Sequence, residues 1–532
     1  MSHAKKNRPY NILLITCDQL RYFRDDEWPD GFALPNIARL KAMGTSFDNH
    51  YICTSACTPS RASLYTGLHT PVHGMFDISM MPVGSPNRLP PRHRTLGHWL
   101  DRAGYHAAYK GKWHLDDEIA WPPNKDFDVV REMKERYGFD DYDGEASSGP
   151  LGGYSQDEGI AADAISWLRR REQGLNDAGK PWFLAVNFVN PHDIMFYDHT
   201  MGVKDSANYL VPPHSEPDHE LYRPQWEIMP NNWQQSLTLH RPAAHLVFRD
   251  ANDLFTGSVD YTLDDWQRYN SFYLNSTRLI DRQIGRLIRE IEEQRLVDKT
   301  VILFTSDHGE LAGAHGGLKG KGPIVYEEAI HVPMIMVHPD YPSGQRCRAL
   351  TSHLDLVPTI LTNTSIAPDF RTRIGKLPGH DMTPLLAAPE TDRLREALLF
   401  TFDMLTFLDT NPLQTFLTNR KKGASMLATP DRERRGFIRM AFDGHYKFAR
   451  YFAPSWHNTP ETMEALLTHN DLELFDLERD IRETVNLGAD PAANGELIMG
   501  MNGKLNRLIE DEIGEDKGGM LPRRENGRSQ FV

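Results

Sequence analysis

Thiols are scarce in this sequence: Cys17, Cys53, Cys57 and Cys347 are the four cysteines of a 532-residue chain. So few cannot make a disulfide framework for a protein of this length, which fits a reducing compartment. Long apolar runs are missing too. After the basic start Met1-Ser2-His3-Ala4-Lys5-Lys6-Asn7-Arg8 the apolar run is only Ile12-Leu13-Leu14-Ile15, too short for a signal h-region or a membrane span. The expectation is a cytoplasmic protein with no membrane partner. Internal repeats, low-complexity tracts and long Lys/Arg runs are also lacking, and a formal charge of -14 argues against a general nucleic-acid binder. Such a net field does not draw an anionic substrate, so attraction must come from cations focused in a cleft.

The bulk composition, 40% hydrophobic and 25% charged, is that of a soluble globular protein. Its length exceeds what one hydrophobic core supports, which predicts two domains and a tail. Short apolar runs at Asn11–Thr16, His106–Tyr109, Trp182–Val189, Val301–Thr305 and Met334–Val337 read as buried parallel strands. Between them lie helical patterns. The clearest places Ile280, Ile284, Leu287, Ile288 and Ile291 on one helical face. Alternating helices and strands predict a layered α/β fold over residues 1–394, in which ligands bind at the carboxyl ends of the strands. Three of those ends carry polar groups: Cys17-Asp18-Gln19, Asn190-Pro191-His192-Asp193 and Ser306-Asp307-His308-Gly309.

Two regions have another character. Between Tyr197 and Asp260 the chain is rich in Pro, His and Trp with little periodicity (Pro212, Pro213, Pro217, Pro224, Pro230, Trp226, Trp233), and reads as an excursion over the active-site face. Tyr197, Tyr222, Trp226 and Trp233 either line a pocket for an aryl group or pack the excursion, and packing is the expectation for most. From about Arg395, Gly436–Phe442, the turn Asp443-Gly444 and His445–Phe452 predict a β-hairpin. With Glu473–Leu477 as a further strand, residues 395–485 predict a smaller α+β domain with an antiparallel sheet. Residues 486–532 read as a C-terminal tail with one helical stretch and an Arg- and Gly-rich end, able to serve oligomer contacts.

The most informative stretch is Cys57-Thr58-Pro59-Ser60-Arg61, followed by Ala62-Ser63-Leu64-Tyr65-Thr66-Gly67. A plain thiol at a helix start would be activated by unsatisfied backbone N–H groups and the dipole; the bland alternative is a turn cysteine before a Pro-initiated helix. C-x-P-S-R resembles the modification signature of type I sulfatases, in the alkaline phosphatase superfamily. Gly104-Tyr105-His106-Ala107-Ala108-Tyr109-Lys110-Gly111-Lys112-Trp113-His114 is similar to their second signature, and His315-Gly316-Gly317-Leu318-Lys319-Gly320-Lys321-Gly322-Pro323 to the stretch that supplies a further lysine. If residues 112–114 are extended, Lys112 and His114 point the same way. Ser352–Thr359, Leu377–Asp381 and Glu473–Leu477 also look like sulfatase scaffold segments.

The resemblance implies an alkaline phosphatase-like fold, a large mixed, mostly parallel sheet sandwiched by helices. It further implies that a formylglycine-generating enzyme oxidises Cys57 to formylglycine, whose hydrated diol is the nucleophile. One divalent cation, Ca²⁺ or Mn²⁺, would be held by Asp18, Gln19, residue 57, Asp307 and His308. Arg61, Lys112, His114, His192 and Lys321 would carry the remaining catalytic roles, with His192 as general acid, His114 near the second hydroxyl, and Lys321 preferred over Lys319 by its distance from Tyr326-Glu327. The implied activity is hydrolysis of small-molecule sulfate monoesters by a homo-oligomer, dimer or tetramer. Gln19 and His308 depart from the Asp-Asp and Asp-Asn pairs of many sulfatases and look like those of phosphonate monoester hydrolases, which makes phosphonate or phosphodiester hydrolysis the alternative, while Lys112 and His114 favour sulfate. A non-catalytic binding protein with Cys57 unmodified is the rival of a different class.

Overall fold

The computed structural model describes residues 9–79, 86, 88–120, 127–144, 149–172, 179–197, 221, 223, 225–256, 261–364, 377–391, 393–421 and 430–521. The basic start, Tyr222, the prolines at 212, 213, 217 and 224, and the Arg-rich end lie outside them. In chain order the strands are β1 (Asn11–Asp18), β2 (Thr45–Phe47), β3 (His50–Tyr51), β4 (His106–Gly111), β5 (Asp141–Gly144), β6 (Trp182–Pro191), β7 (Thr300–Ser306), β8 (Met334–Val337), β9 (Gln345–Cys347), β10 (Thr351–Ser352), β11 (Leu398–Phe402), β12 (Phe437–Phe442), β13 (Tyr446–Phe452) and β14 (Asn470–Asp476).

Eight strands form one sheet in the order β5-β4-β6-β1-β7-β8-β2-β9. From β5 to β7 every pairing is parallel, as expected for near-continuous apolar strands covered on both faces. β8, expected to be parallel, pairs antiparallel with β7, with Ile302 opposite Val337. A four-residue apolar run carries no direction of its own, and here the connection rather than the strand sets it.

Period-two alternation sorts β1 between two cores. Leu13, Ile15 and Cys17 pack on one face with the helices Gly152–Glu172 and Leu263–Glu293, and the latter holds the Ile280–Ile291 stripe. Ile12 and Leu14 pack on the other with the helix Cys57–Thr66 and with Trp99, Met133 and Ile360. The sheet is therefore a filling between two helical layers. The long helix begins at a capping box in which Thr262 and Asp265 satisfy each other's backbone N–H groups.

A second, four-stranded antiparallel sheet has the order β11-β12-β13-β14. Its hairpin turns at Asp443-Gly444, where Gly444 takes a φ of 93° that a side chain would resist. One face of this sheet joins the large domain through Phe400, Ile438 and Tyr451 against Val325, Ala329 and Ile330. The other is covered by the helix Pro491–Glu512 through Ile498, Leu505 and Ile509, so this part of the expected tail packs on the sheet. Within the 197–260 excursion a regular helix, Ala244–Thr256, is present; Trp226 and Trp233 pack against the large core, and Tyr197 is buried.

Candidate active site

Four adjacent parallel strands, β4-β6-β1-β7, deliver their carboxyl ends to one place. β4 ends at Gly111, before Lys112; β6 at Pro191, before His192; β1 at Asp18, before Gln19; and β7 at Ser306, before Asp307 and His308. The turn out of β4 needs glycine: Gly111 has φ +87°, and a Cβ there would sit 2.0 Å from the Asn187 carbonyl oxygen. Lys112 N then donates to that same oxygen at 2.9 Å. The condition that residues 112–114 be extended is not met. The strand has ended, and His114 adopts a left-handed φ of 58°.

Cys57 is the first residue of a ten-residue helix in which every residue is buried. That position puts its side chain at the positive end of the helix dipole. Its Sγ lies 3.0 Å from His308 Nε2 and 3.7 Å from Asp18 Oδ1. The thiol is held below its ordinary value: burial and Asp18 push it up, and Lys112, Lys321 and His308 outweigh them.

The two carboxylates divide their oxygens. Asp18 Oδ2 is ion-paired to Lys112 Nζ and Asp307 Oδ2 accepts from Arg61 Nε at 2.9 Å. The other two oxygens, Asp18 Oδ1 and Asp307 Oδ1, lie 3.3 Å and 3.6 Å from His308 Nε2. The ligand-type atoms of Asp18, Cys57, Asp307 and His308 all fall within 4.8 Å of one another. Two hard anionic oxygens, one imidazole nitrogen and residue 57 suit a divalent cation that accepts mixed O/N donors. His308 Nδ1 lies 3.0 Å from Gly309 O, a partner that leaves Nε2 for the cluster. Burial lowers His308, but Asp307 and Cys57 raise it to about 10. A proton on that ring answers the same pull that would hold a metal ion.

Gln19 sits beside this cluster with both ends of its amide engaged. Its Oε1 accepts from Lys321 Nζ at 2.6 Å, its Nε2 is hydrogen-bonded to Glu310, and its backbone N donates to Asp307 Oδ1 at 3.1 Å. Lys321 is thus brought to the site. Lys319 is placed elsewhere, 5.4 Å from the centre of the Tyr261 ring.

Three polar atoms around the cluster are buried without a partner among the described residues: Arg61 Nη2, His114 Nδ1 and His192 Nδ1. Buried polar groups are normally satisfied, so these are positions where a substrate or water would complete the bonding. Burial and the nearby Lys112 hold His114 and His192 well below the usual histidine range. Both rings are therefore neutral.

Two further residues complete the site and were not singled out from sequence. Asn187 Oδ1 accepts from Tyr65 at 3.0 Å and from Arg61 Nη1 at 3.4 Å. Its signal was a polar residue inside the apolar run of β6. Glu310, fully buried, accepts from Gly320 N at 2.7 Å, Ala312 N at 2.9 Å and Tyr269 OH at 3.0 Å, besides Gln19. A carboxylate three residues after Asp307, next to a glycine, was the available hint.

A family model described as Sulfatase matches residues 10–366. The protein named Uncharacterized sulfatase YidJ from Escherichia coli (strain K12) is 29% identical over 356 residues, 62% of this chain and 63% of its own length. Arylsulfatase K from Gallus gallus is 24% identical over 405 residues, 73% of this chain and 68% of its own length. The matched stretch thus spans about two thirds of these relatives. The solved phosphonate monoester hydrolase of Agrobacterium radiobacter superposes with a TM-score of 0.64 over 98% of this chain and 99% of its own, at 23% identity, a likeness of fold. With the sulfatase model matching from the strand that ends in Asp18 to beyond the loop that carries Lys321, this chain belongs to the sulfatase family.

Proposed function

We propose that this protein hydrolyses small-molecule sulfate monoesters with residue 57, matured from cysteine to formylglycine, and one divalent cation, Ca²⁺ or Mn²⁺. The observation that carries the reading is the convergence of Cys57 Sγ with one oxygen each of Asp18 and Asp307 and with His308 Nε2. Asp18, Asp307 and His308 would hold the ion together with residue 57; bound there, it polarises the reacting oxygens as a Lewis acid. As formylglycine hydrate, residue 57 supplies one hydroxyl to attack sulfur and a second whose deprotonation releases sulfate.

The chain's own residues do the rest. Arg61 and Lys112, each tied to a carboxylate, present fixed positive charge to the sulfuryl oxygens, a preorganised electrostatic contribution. Lys321 adds a third cation on the Gln19 side. His114, neutral, is able to accept the proton of the second hydroxyl. His192, also neutral, would hydrogen-bond the leaving oxygen, which leaves the proton itself to Lys321.

A second reading, phosphonate monoester or phosphodiester hydrolysis by the same residue, is favoured by Gln19 and His308 and is kept for that reason. Paired kcat/KM values on an aryl sulfate and an aryl phosphonate monoester separate the two, and a larger value for the phosphonate reverses the ranking. Mass analysis of the peptide bearing residue 57, from protein made alongside a formylglycine-generating enzyme, tests the nucleophile: an intact thiol there removes the mechanism and leaves the binding-protein reading. Cys57 is 2% exposed, so that enzyme must meet the chain before this helix closes. We further infer residence in the cytoplasm, supported by four buried cysteines that form no disulfide with one another, and assembly as a dimer or tetramer. Among the described residues no helix is long and apolar enough to cross a membrane.

A further inference from the structure

A cavity of about 350 Å³ lies beside the segment that follows β1, and none of the catalytic residues is in its wall. The wall is mainly apolar, with Phe23, Trp28, Ile37, Phe47, Phe304 and Ile335. Most of the charge at its edge is already matched: Arg346 pairs with Asp48 at 3.0 Å and with Asp25 at 3.5 Å.

Arg21 is the exception. It lines the cavity, is 5% exposed, and its Nε has no hydrogen-bond partner among the described residues. Its ion-pair partner there is Glu27 at 3.9 Å, beyond hydrogen-bond reach, and Glu27 is itself engaged by Arg482. The guanidinium instead rests 4.3 Å from the centre of the Phe23 ring. A buried guanidinium with an unpartnered Nε–H calls for an acceptor, and the acceptor whose geometry matches a guanidinium fork is a carboxylate. Lys41, exposed on the last turn of the helix Pro35–Met43, adds a second cation to the wall.

We propose that this cavity is a binding site for a small amphipathic carboxylate, its carboxylate on Arg21 and its aromatic or branched body against the Phe23, Trp28 and Phe47 wall. The inference does not rest on the sulfatase reading, and its test uses no turnover.

The test is calorimetric titration of the full chain with 2-naphthoate and with the neutral 2-naphthamide. Naphthoate is expected to bind saturably and at least about tenfold more tightly than the amide, as a charge-assisted fork requires. Arg21→Met should weaken naphthoate by about tenfold or more while leaving the amide within about twofold. Ala42→Trp, which puts an indole at an exposed helical position on the cavity wall, should abolish both. Circular dichroism establishes that each variant is folded. If Arg21→Met is not, the acid–amide comparison together with Ala42→Trp decides. Equal affinity for acid and amide, binding untouched by Ala42→Trp, or no saturable binding to the wild-type chain overturns the proposal.

Discussion

Gln19 has one donor end and one acceptor end, and what faces each decides where the Lys321 ammonium sits. Glu310 takes the donor end and, through Gly320 N, also holds the glycine loop that carries Lys321. The amide oxygen is then turned to Lys321 Nζ. Glu310 acts through other groups, so it is a positioning residue. Glu310→Gln puts an NH₂ group among four donors, and kcat toward an aryl sulfate is expected to fall about 10–100-fold, as for lost supporting partners. Lys321→Ala should cost about 10²–10³-fold, the range for one preorganised donor at a developing charge. The double variant should lose little beyond Lys321→Ala alone, because the two act through the same ammonium. Steady-state kinetics on the four proteins checks this, and additive losses would show that Glu310 acts elsewhere. Lys319→Ala, with its ammonium by Tyr261, should be much milder than Lys321→Ala.

The helix that begins at Cys57 is closed at its other end by Gly67, with φ 70°, and is secured just beyond by His69. That ring, fully buried, bonds Glu512 at 2.7 Å, at the last residue of the C-terminal helix. Burial opposes a charge on His69, but the neighbouring Cys53 and the hydrogen-bonded Glu512 outweigh it and raise its pKa to about 9. A pKa raised on folding stabilises the protein fully below the unfolded value of about 6.5 and ceases to do so as pH rises through about 9. The contribution is on the order of 2–3 kcal/mol. Glu512→Gln should therefore be less stable than wild type at pH ~6 and converge with it above pH ~9; urea melts across that range measure the gap, and a gap that does not change with pH refutes the assignment. Little of this tie was legible. The strand ends were, because apolar runs bounded by Asp-Gln, Asn-Pro-His and Asp-His mark both a buried strand and its polar mouth. A His–Glu contact across 443 positions leaves no local pattern. The direction of β8 was misread because a short apolar run fits either direction, and the left-handed turn at His114 was not legible because a two-residue spacing fits more than one backbone path.

The two sheets are joined by an apolar core and by a buried ionic seam within it. Lys447 of β13, with no exposed surface, donates to Glu327 Oε1 at 2.7 Å and Glu483 Oε1 at 2.8 Å, and Glu483 Oε2 accepts from Glu327 N at 2.8 Å. Tyr326 reaches Glu473 of β14 at 2.9 Å in the same region. The hairpin at Asp443-Gly444 was legible from its turn, but the seam was not. Lys447 and Glu327 lie 120 positions apart, and each alone reads as a surface residue. Burial raises Glu483 to about 8, Lys447 opposes that rise and Glu327 adds to it, whereas Lys447 and His331 hold Glu327 well below the usual carboxylate range despite burial. Removing the cation leaves Glu327 to Arg24 and His331 alone and leaves Glu483 buried without its partner, and breaking such a buried arrangement costs about 3–5 kcal/mol. Lys447→Met should accordingly lower the unfolding free energy read from urea melts by that amount, with the apolar core still joining the two sheets in one cooperative transition. Glu483→Gln added to Lys447→Met should recover part of the loss by removing a carboxyl that must take up a proton to be buried, giving a favourable coupling of about 1–3 kcal/mol. Strict additivity in that cycle, or a Lys447→Met melt indistinguishable from wild type, would show that Lys447 is not what holds the two sheets together.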